Sequence, residues 1–208
     1  MKTILVRPHI ALLAAAGFLI VAAQQPARAD QITYTFSGIG SGRLGASFFT
    51  NTAFTVTALA DPSQVTDILP PVLNVLNFST TISVAGLGSA TFNTNFHTLD
   101  FNNPNPSESS VGLFLFYQGP KLISVQNAAF QSYYLTTSYG PVAGTPGFST
   151  TLFPTTAGDF SFSAVSSVSF QAVLQAVPEP TALGCLGVAS VVWAIRRKPP
   201  KRDDCWLP

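Results

Sequence analysis

Charge is scarce in this chain: Asp, Glu, Lys and Arg together make up 9% of 208 residues, where an ordinary globular sequence carries about 25%. The scarcity is uneven. Between residues 30 and 176 the only bases are Arg43 and Lys121, set against Asp30, Asp61, Asp67, Asp100, Glu108 and Asp159. A protein that neutralises phosphates needs a base for each one, so nucleic acid is excluded as a partner of this segment. Cysteine is equally rare. Cys185 and Cys205 are the only two, and both lie beyond residue 176, so the central segment has no disulfide to draw on. Histidine is reduced to His9 and His97, which leaves His97 as the single possible centre for a His-based metal site or a Ser-His-Asp constellation there. Asp100 follows three residues on, a spacing that in a strand turns the two side chains to opposite faces. No paired carboxylates stand at a readable spacing and no phosphate loop is present. The segment is therefore assigned no catalytic residue, no cofactor and no metal, and is read as not an enzyme.

Aromatic residues are plentiful by contrast. All but Phe18 of the 17 phenylalanines fall between residues 30 and 176, and chains that stay disordered are poor in aromatics, so this segment is expected to fold. QITYTFS at 31–37 alternates Ile32, Tyr34 and Phe36 with Thr33, Thr35 and Ser37, the period of two that a half-buried strand requires. AFTVTALA at 53–60 repeats the pattern. Further strands are predicted at 78–85, 89–92, 111–117, 121–125, 159–163 and 167–174, with turn signals between them at Asp61-Pro62, Pro70-Pro71, Gly86-Leu87-Gly88, Asn103-Pro104-Asn105-Pro106, Gly119-Pro120, Gly140-Pro141 and Gly158-Asp159. Many short β-rich runs without an amphipathic helix predict an all-β domain over 30–176, an antiparallel sandwich, jelly-roll-like or similar. Residues 61–76 and 127–150 read ambiguously, the second as a surface loop or a short helical turn over Ala128 to Tyr133.

Four short patterns invite chemical readings. Gly40-Ser41-Gly42-Arg43-Leu44-Gly45 matches G-x-G-x-x-G, but that pattern binds a dinucleotide only where a strand runs into a helix. Here β-formers follow, so Gly38, Gly40 and Gly42 are expected to serve a bulge or a tightly packed strand. Asp100, Asn102, Asn103, Asn105, Ser107 and Glu108 collect side-chain oxygens in one stretch; two prolines and the lack of an EF-hand spacing make a solvated turn the expected reading rather than calcium. Asn77-Phe78-Ser79 fits a glycosylation sequon. Tyr133, Tyr134, Tyr139 and Phe148 offer either a carbohydrate-stacking platform or a cap on the core.

The two ends carry signals instead of fold. Lys2, Arg7 and His9 precede an apolar run, Ile10 to Ala23, and Ala27-Arg28-Ala29 supplies an A-x-A cleavage site, so residues 1–29 read as a secretory signal peptide with Ala27 and Ala29 marking the cut. As a helix that run covers roughly 21 Å at about 1.5 Å per residue, short of a hydrocarbon core of roughly 30 Å. At the other end Pro178, Glu179 and Pro180 form an extended acidic elbow. Thr181 can cap a helix over 181–195 whose every face is apolar apart from Ser190, which suits lipid. It gives about 22 Å, and Arg196, Arg197 and Lys198 can lengthen it by snorkelling. Those bases keep residues 199–208 cytoplasmic and the domain outside.

V-P-E-P at 177–180, the apolar helix and R-R-K at 196–198 together resemble the PEP-CTERM sorting signal of exported proteins in Gram-negative, exopolysaccharide-making bacteria, here spanning 177–198. The resemblance implies an exosortase substrate. Pro178, Glu179 and Pro180 would be read by the membrane-embedded exosortase, signal peptidase would act at the other end, and a transient inner-membrane anchor would be exchanged for the cell surface or extracellular matrix, in contact with exopolysaccharide. Family members end soon after the basic cluster, whereas this chain continues with PPKRDDCWLP. The opening ITYTFSGIGSGRLG is similar to that of a group of small PEP-CTERM proteins. The same C-terminal motif also carries the label ice-binding protein C-terminal domain, but ice binding needs a flat, regular Thr array and Thr33, Thr35, Thr55 and Thr57 read as scattered pairs. The expectation is an exported structural or adhesive protein; an extracellular glycan-binding module and a secreted hydrolase are the alternatives.

Overall fold

The computed structural model describes residues 30–175; the expected signal peptide at 1–29, the sorting signal at 177–198 with its helix at 181–195, and the tail at 199–208 lie outside the described residues. Eleven strands follow one another: β1 (Gln31–Leu44), β2 (Ser47–Ala60), β3 (Thr66–Leu69), β4 (Val72–Val84), β5 (Gly88–Thr91), β6 (His97–Phe101), β7 (Ser110–Phe114), β8 (Lys121–Gln126), β9 (Tyr139–Phe148), β10 (Phe153–Thr155) and β11 (Gly158–Gln175). Short 3-10 turns at Pro62–Gln64, Pro106–Glu108 and Ala128–Ser132 are the helical pieces among the described residues. No helix among them is long and apolar enough to cross a membrane.

The all-β antiparallel class holds, and the sandwich is replaced by a closed barrel. Pairing runs β1-β2-β4-β6-β7-β8-β9-β11 and returns to β1, so eight strands form a ring, with β3 and β5 added to β4 and β10 added to β11. Two long strands make the closure. β4 gives residues 77–84 to β2 and 72–76 to β6; β9 gives residues 139–144 to β11 and 145–148 to β8. A strand that changes partner along its length turns what would be two facing sheets into one continuous wall.

Local sequence explains the hairpins. Leu44 pairs Ser47 across a two-residue turn in which Gly45 takes φ +59°, a left-handed conformation that glycine adopts without strain. Pro70-Pro71 fills the two-residue turn between Leu69 and Val72.

The inward face is almost wholly aromatic and aliphatic. Ile32, Tyr34 and Phe36 of β1 face Phe54, Val56 and Ala58 of β2, with Phe160, Phe162, Phe170 and Ala172 of β11 beside them, all buried. Each fully buried Phe contributes about 1.5–3 kcal/mol. Ring packing adds to this, as between Phe160 and Phe162 at 4.8 Å and nearly perpendicular, a geometry worth about 0.5–1.5 kcal/mol. On β11 the inward residues are Phe160, Phe162, Val165, Val168, Phe170 and Ala172, and the two three-residue steps lie where the β1 register shifts around Gly40 and Gly42. These are bulges, one reason the run reads as two strands in the sequence yet forms one. The outward face of β1, β2 and β11 is mostly Thr, Ser and Gln, with Ile39, Phe48 and Val173 exposed among them. Lipid-spanning barrels have the opposite polarity, apolar outside and polar within.

Candidate functional site

One end of the barrel, here the aromatic pole, is closed by rings. Phe92, Phe96, Phe153, Phe160 and Phe49 pack against one another there, mostly edge to face. Phe92 also bridges Thr155, and backbone bonds from Asn93 to Pro154 and from Thr156 to Thr91 stitch the β5 end to β10. The G-x-G-x-x-G stretch belongs to this packing, as the sequence reading expects. A Cβ on Gly38 or Gly42 would meet the carbonyl oxygen of Ser167 or Ser161 at 2.1 Å and the ring of Phe54 or Phe49 at 3.0 Å. These glycines are the floor on which the rings lie.

The other end, the capped pole, is where the chain enters at Gln31 and leaves at its direct partner Gln175. Its closing segment runs from the turn at Ala128–Ser132 to Thr137, and its fastenings are polar. Tyr34 donates its hydroxyl to the Leu135 carbonyl at 2.6 Å, Asn102 Nδ2 donates to the Tyr133 carbonyl at 2.9 Å, Tyr133 donates to the Thr137 carbonyl at 3.3 Å, and the Tyr139 hydroxyl donates to the Ala129 carbonyl. Leu135 is wholly buried yet holds φ +60°, a left-handed conformation that costs an L-residue with a Cβ about 1–2 kcal/mol. The fastenings and the burial of the Leu135 side chain hold it there.

Beneath this cap lies Asp100. On β6 the alternation sends Thr98 and Asp100 inward, beside Leu113 and Val111 of β7, and His97 outward. Asp100 is 0% exposed, and neither carboxylate oxygen has a hydrogen-bond partner; Asn102 Oδ1 next to it also lacks one. Burial pushes the Asp100 carboxyl from 3.8 up to about 8; the Asn102 side chain, near enough to favour the charged form but short of full hydrogen-bond geometry, acts in the opposite direction. Burial, and then the charge on Asp100, push the Tyr34 hydroxyl above its ordinary range, and Tyr133 moves the same way for the same leading reason. A buried acid among tyrosines, the only carboxyl among the buried polar residues described, is the strongest chemical anomaly of the described residues.

The other predicted positions resolve separately. His97 faces outward, its Nδ1 at 2.7 Å from Asn74 Oδ1, and burial lowers its pKa; the strand period keeps it away from Asp100. The 102–108 stretch closes on itself. Glu108 accepts from Asn103 and Asn105, Asn103 Oδ1 accepts from the Asn105 backbone, and Asn105 Oδ1 from Ser107, so the side-chain oxygens of Asn103, Asn105 and Glu108 are engaged by donors of the same stretch, and Asn102 Oδ1 is not. Asn77 cannot serve as a sequon acceptor, because it is 0% exposed and its Oδ1 accepts from Thr98. The tyrosine platform does not form. Tyr133 is 1% exposed and stacks on Tyr139 at 4.6 Å, Phe148 leans on Phe162, and Tyr134 alone of the four is strongly exposed. These rings cap the core.

The outer wall corrects one reading. Thr35 and Thr57 are not an isolated pair, for the register aligns Gln171, Thr35, Thr57, Thr81 and Thr91 in one row across five strands, and Ser169, Ser37, Thr55, Ser83 and Ser89 in the next. Strands about 4.8 Å apart twist by roughly 20–25° per neighbour, so the field is regular and uncharged but curved. Pairing across strands supplied this alignment, and no single stretch of sequence carries it. Comparison with known proteins finds no protein-family model, no curated protein and no solved structure that matches this chain.

Proposed function

We propose that this chain is an exported, non-enzymatic envelope protein, delivered by a cleaved signal peptide and sorted through Pro178, Glu179 and Pro180. Exosortase action on that elbow would release the barrel from its 181–195 helix to the cell surface or the extracellular matrix. The observation that carries this reading is where the barrel begins and ends. Every strand among the described residues lies between Gln31 and Gln175, so a cut after Ala29 and another in the Pro-Glu-Pro region would leave the hydrogen bonds between those strands intact. A processed protein must survive losing both ends, and the core formed by the described residues, Ile32 to Ala172, lies between the two cuts. The rows of Thr and Ser give the released barrel an uncharged hydroxyl wall, suited to a structural or adhesive part beside a hydrated, hydroxyl-bearing polysaccharide.

Intact-mass measurement on material from the native host is expected to show a chain starting at Asp30 and ending near Pro180. Glu179→Ala is expected to leave the protein, with its C-terminal segment, in the inner membrane. A full-length chain in the outer fraction, or unchanged release of the variant, would overturn the reading.

A further inference from the structure

Three acceptor oxygens at the capped pole have no donor: Asp100 Oδ1, Asp100 Oδ2 and Asn102 Oδ1. An ionised carboxylate can only accept, and so can an amide oxygen, so in that state all three stay unmatched where water does not reach. No base is placed to compensate. Among the described residues Arg43 bonds Asp159, Lys121 lies over the Phe114 ring, and His97 sits on the opposite face of β6. From the neighbouring elements β1 contributes Tyr34, the cap contributes Tyr133 with Tyr139 of β9 behind it, β4 contributes Leu73 and β7 contributes Val111. Glu108, the other acid of this pole, is held outside by Asn103 and Asn105.

One proton changes the count. A neutral carboxyl has a hydroxyl to donate and leaves no uncompensated charge under the cap, Asn102 Oδ1 of the adjoining side chain has no donor of its own, and Asn102 Nδ2 already donates to the Tyr133 carbonyl. We propose that Asp100 is a neutral acid in the folded protein and that its proton, through Asn102, latches β6 to the segment closing this pole, making that cap a pH-sensitive closure. The strained backbone of Leu135 favours release once the latch weakens.

The direction follows from linkage. The unfolded chain gives up this proton near 3.8 and the folded chain near 8, so the latch contributes fully below the lower value, weakens as pH rises across the window and is spent above the upper one. An infrared titration of the purified full chain is expected to show the carbonyl stretch of a protonated acid persisting at neutral pH, where surface carboxyls are ionised, and missing from Asp100→Asn. The amides of Phe130 and Tyr133, corrected for intrinsic exchange, are expected to exchange at least roughly tenfold faster above the window than below it, one of the roughly four pKa units that the window spans. Asp100→Asn keeps a donor in place and should abolish that acceleration. The proposal falls if the acid band is absent at neutral pH in the wild type, a result that does not depend on the variant folding. It also falls if the variant keeps the same pH dependence, or if added calcium or potassium removes the band saturably, which would make the oxygens a cation site.

Discussion

The two poles of the barrel are closed by different chemistry. At one, Phe49, Phe92, Phe96, Phe153 and Phe160 meet ring to ring; at the other, Tyr34, Asp100, Asn102 and Tyr133 meet through hydroxyl, carboxyl, amide and carbonyl. Closure by rings depends on volume alone and is indifferent to pH. Polar closure is conditional, because each group needs a partner in the right protonation state. The aromatic pole is thus a structural end, and the capped pole is the end at which solution conditions can act.

The largest test of that contrast is Phe160→Ala. Removing a fully buried ring from the aromatic pole is expected to cost about 3–5 kcal/mol, seen as a lower denaturation midpoint by circular dichroism, and the loss should be the same at every pH across the Asp100 window. A loss that varied with pH would erase the distinction between the poles. Tyr34→Phe is the matching change at the capped pole. It leaves the Leu135 carbonyl without its donor inside the protein, for about 1–3 kcal/mol, and hydrogen exchange should locate the loosening between residues 128 and 137 instead of across the ring. Uniform loosening would show that the cap and the wall are one cooperative unit. Arg43→Ala serves as the control, since the Arg43–Asp159 pair at 3.2 Å is partly exposed, 32% on the Arg43 side and 49% on the Asp159 side, and such surface pairs are worth about 0–1 kcal/mol. Its unfolding midpoint should barely move, and less still at high salt.

Much of the wall was readable beforehand. The alternation over 31–37 and 53–60 marks β1 and β2 because a strand buried on one face must repeat every second residue. The turn glycines and prolines likewise fall where strands end. β6 was missed although HTLDF has the right length, since Asp100 interrupts an apolar face and reads as surface. β9 was missed because YGPVAGTPGF is dense in Gly and Pro, which signal turns by themselves but are tolerated where a strand changes partner. In the sequence Asp100 is only a neighbour of His97 and one side-chain oxygen in a polar stretch. Its burial depends on Val111, Tyr34 and the cap, all distant in the chain.

Composition and periodicity alone determined that residues 30–176 fold as antiparallel β structure, that they lack the bases for nucleic acid, and that the glycine run is packing, because all three follow from local pattern and from counts. Three matters were left to tertiary structure: that the wall closes into a barrel, that threonines from separate strands stand in rows, and that one carboxyl lies in the dark beneath a strained cap. Each of these is set by which strand lies beside which, and strand pairing joins residues far apart in the chain at a cost in chain entropy that no short window of sequence records.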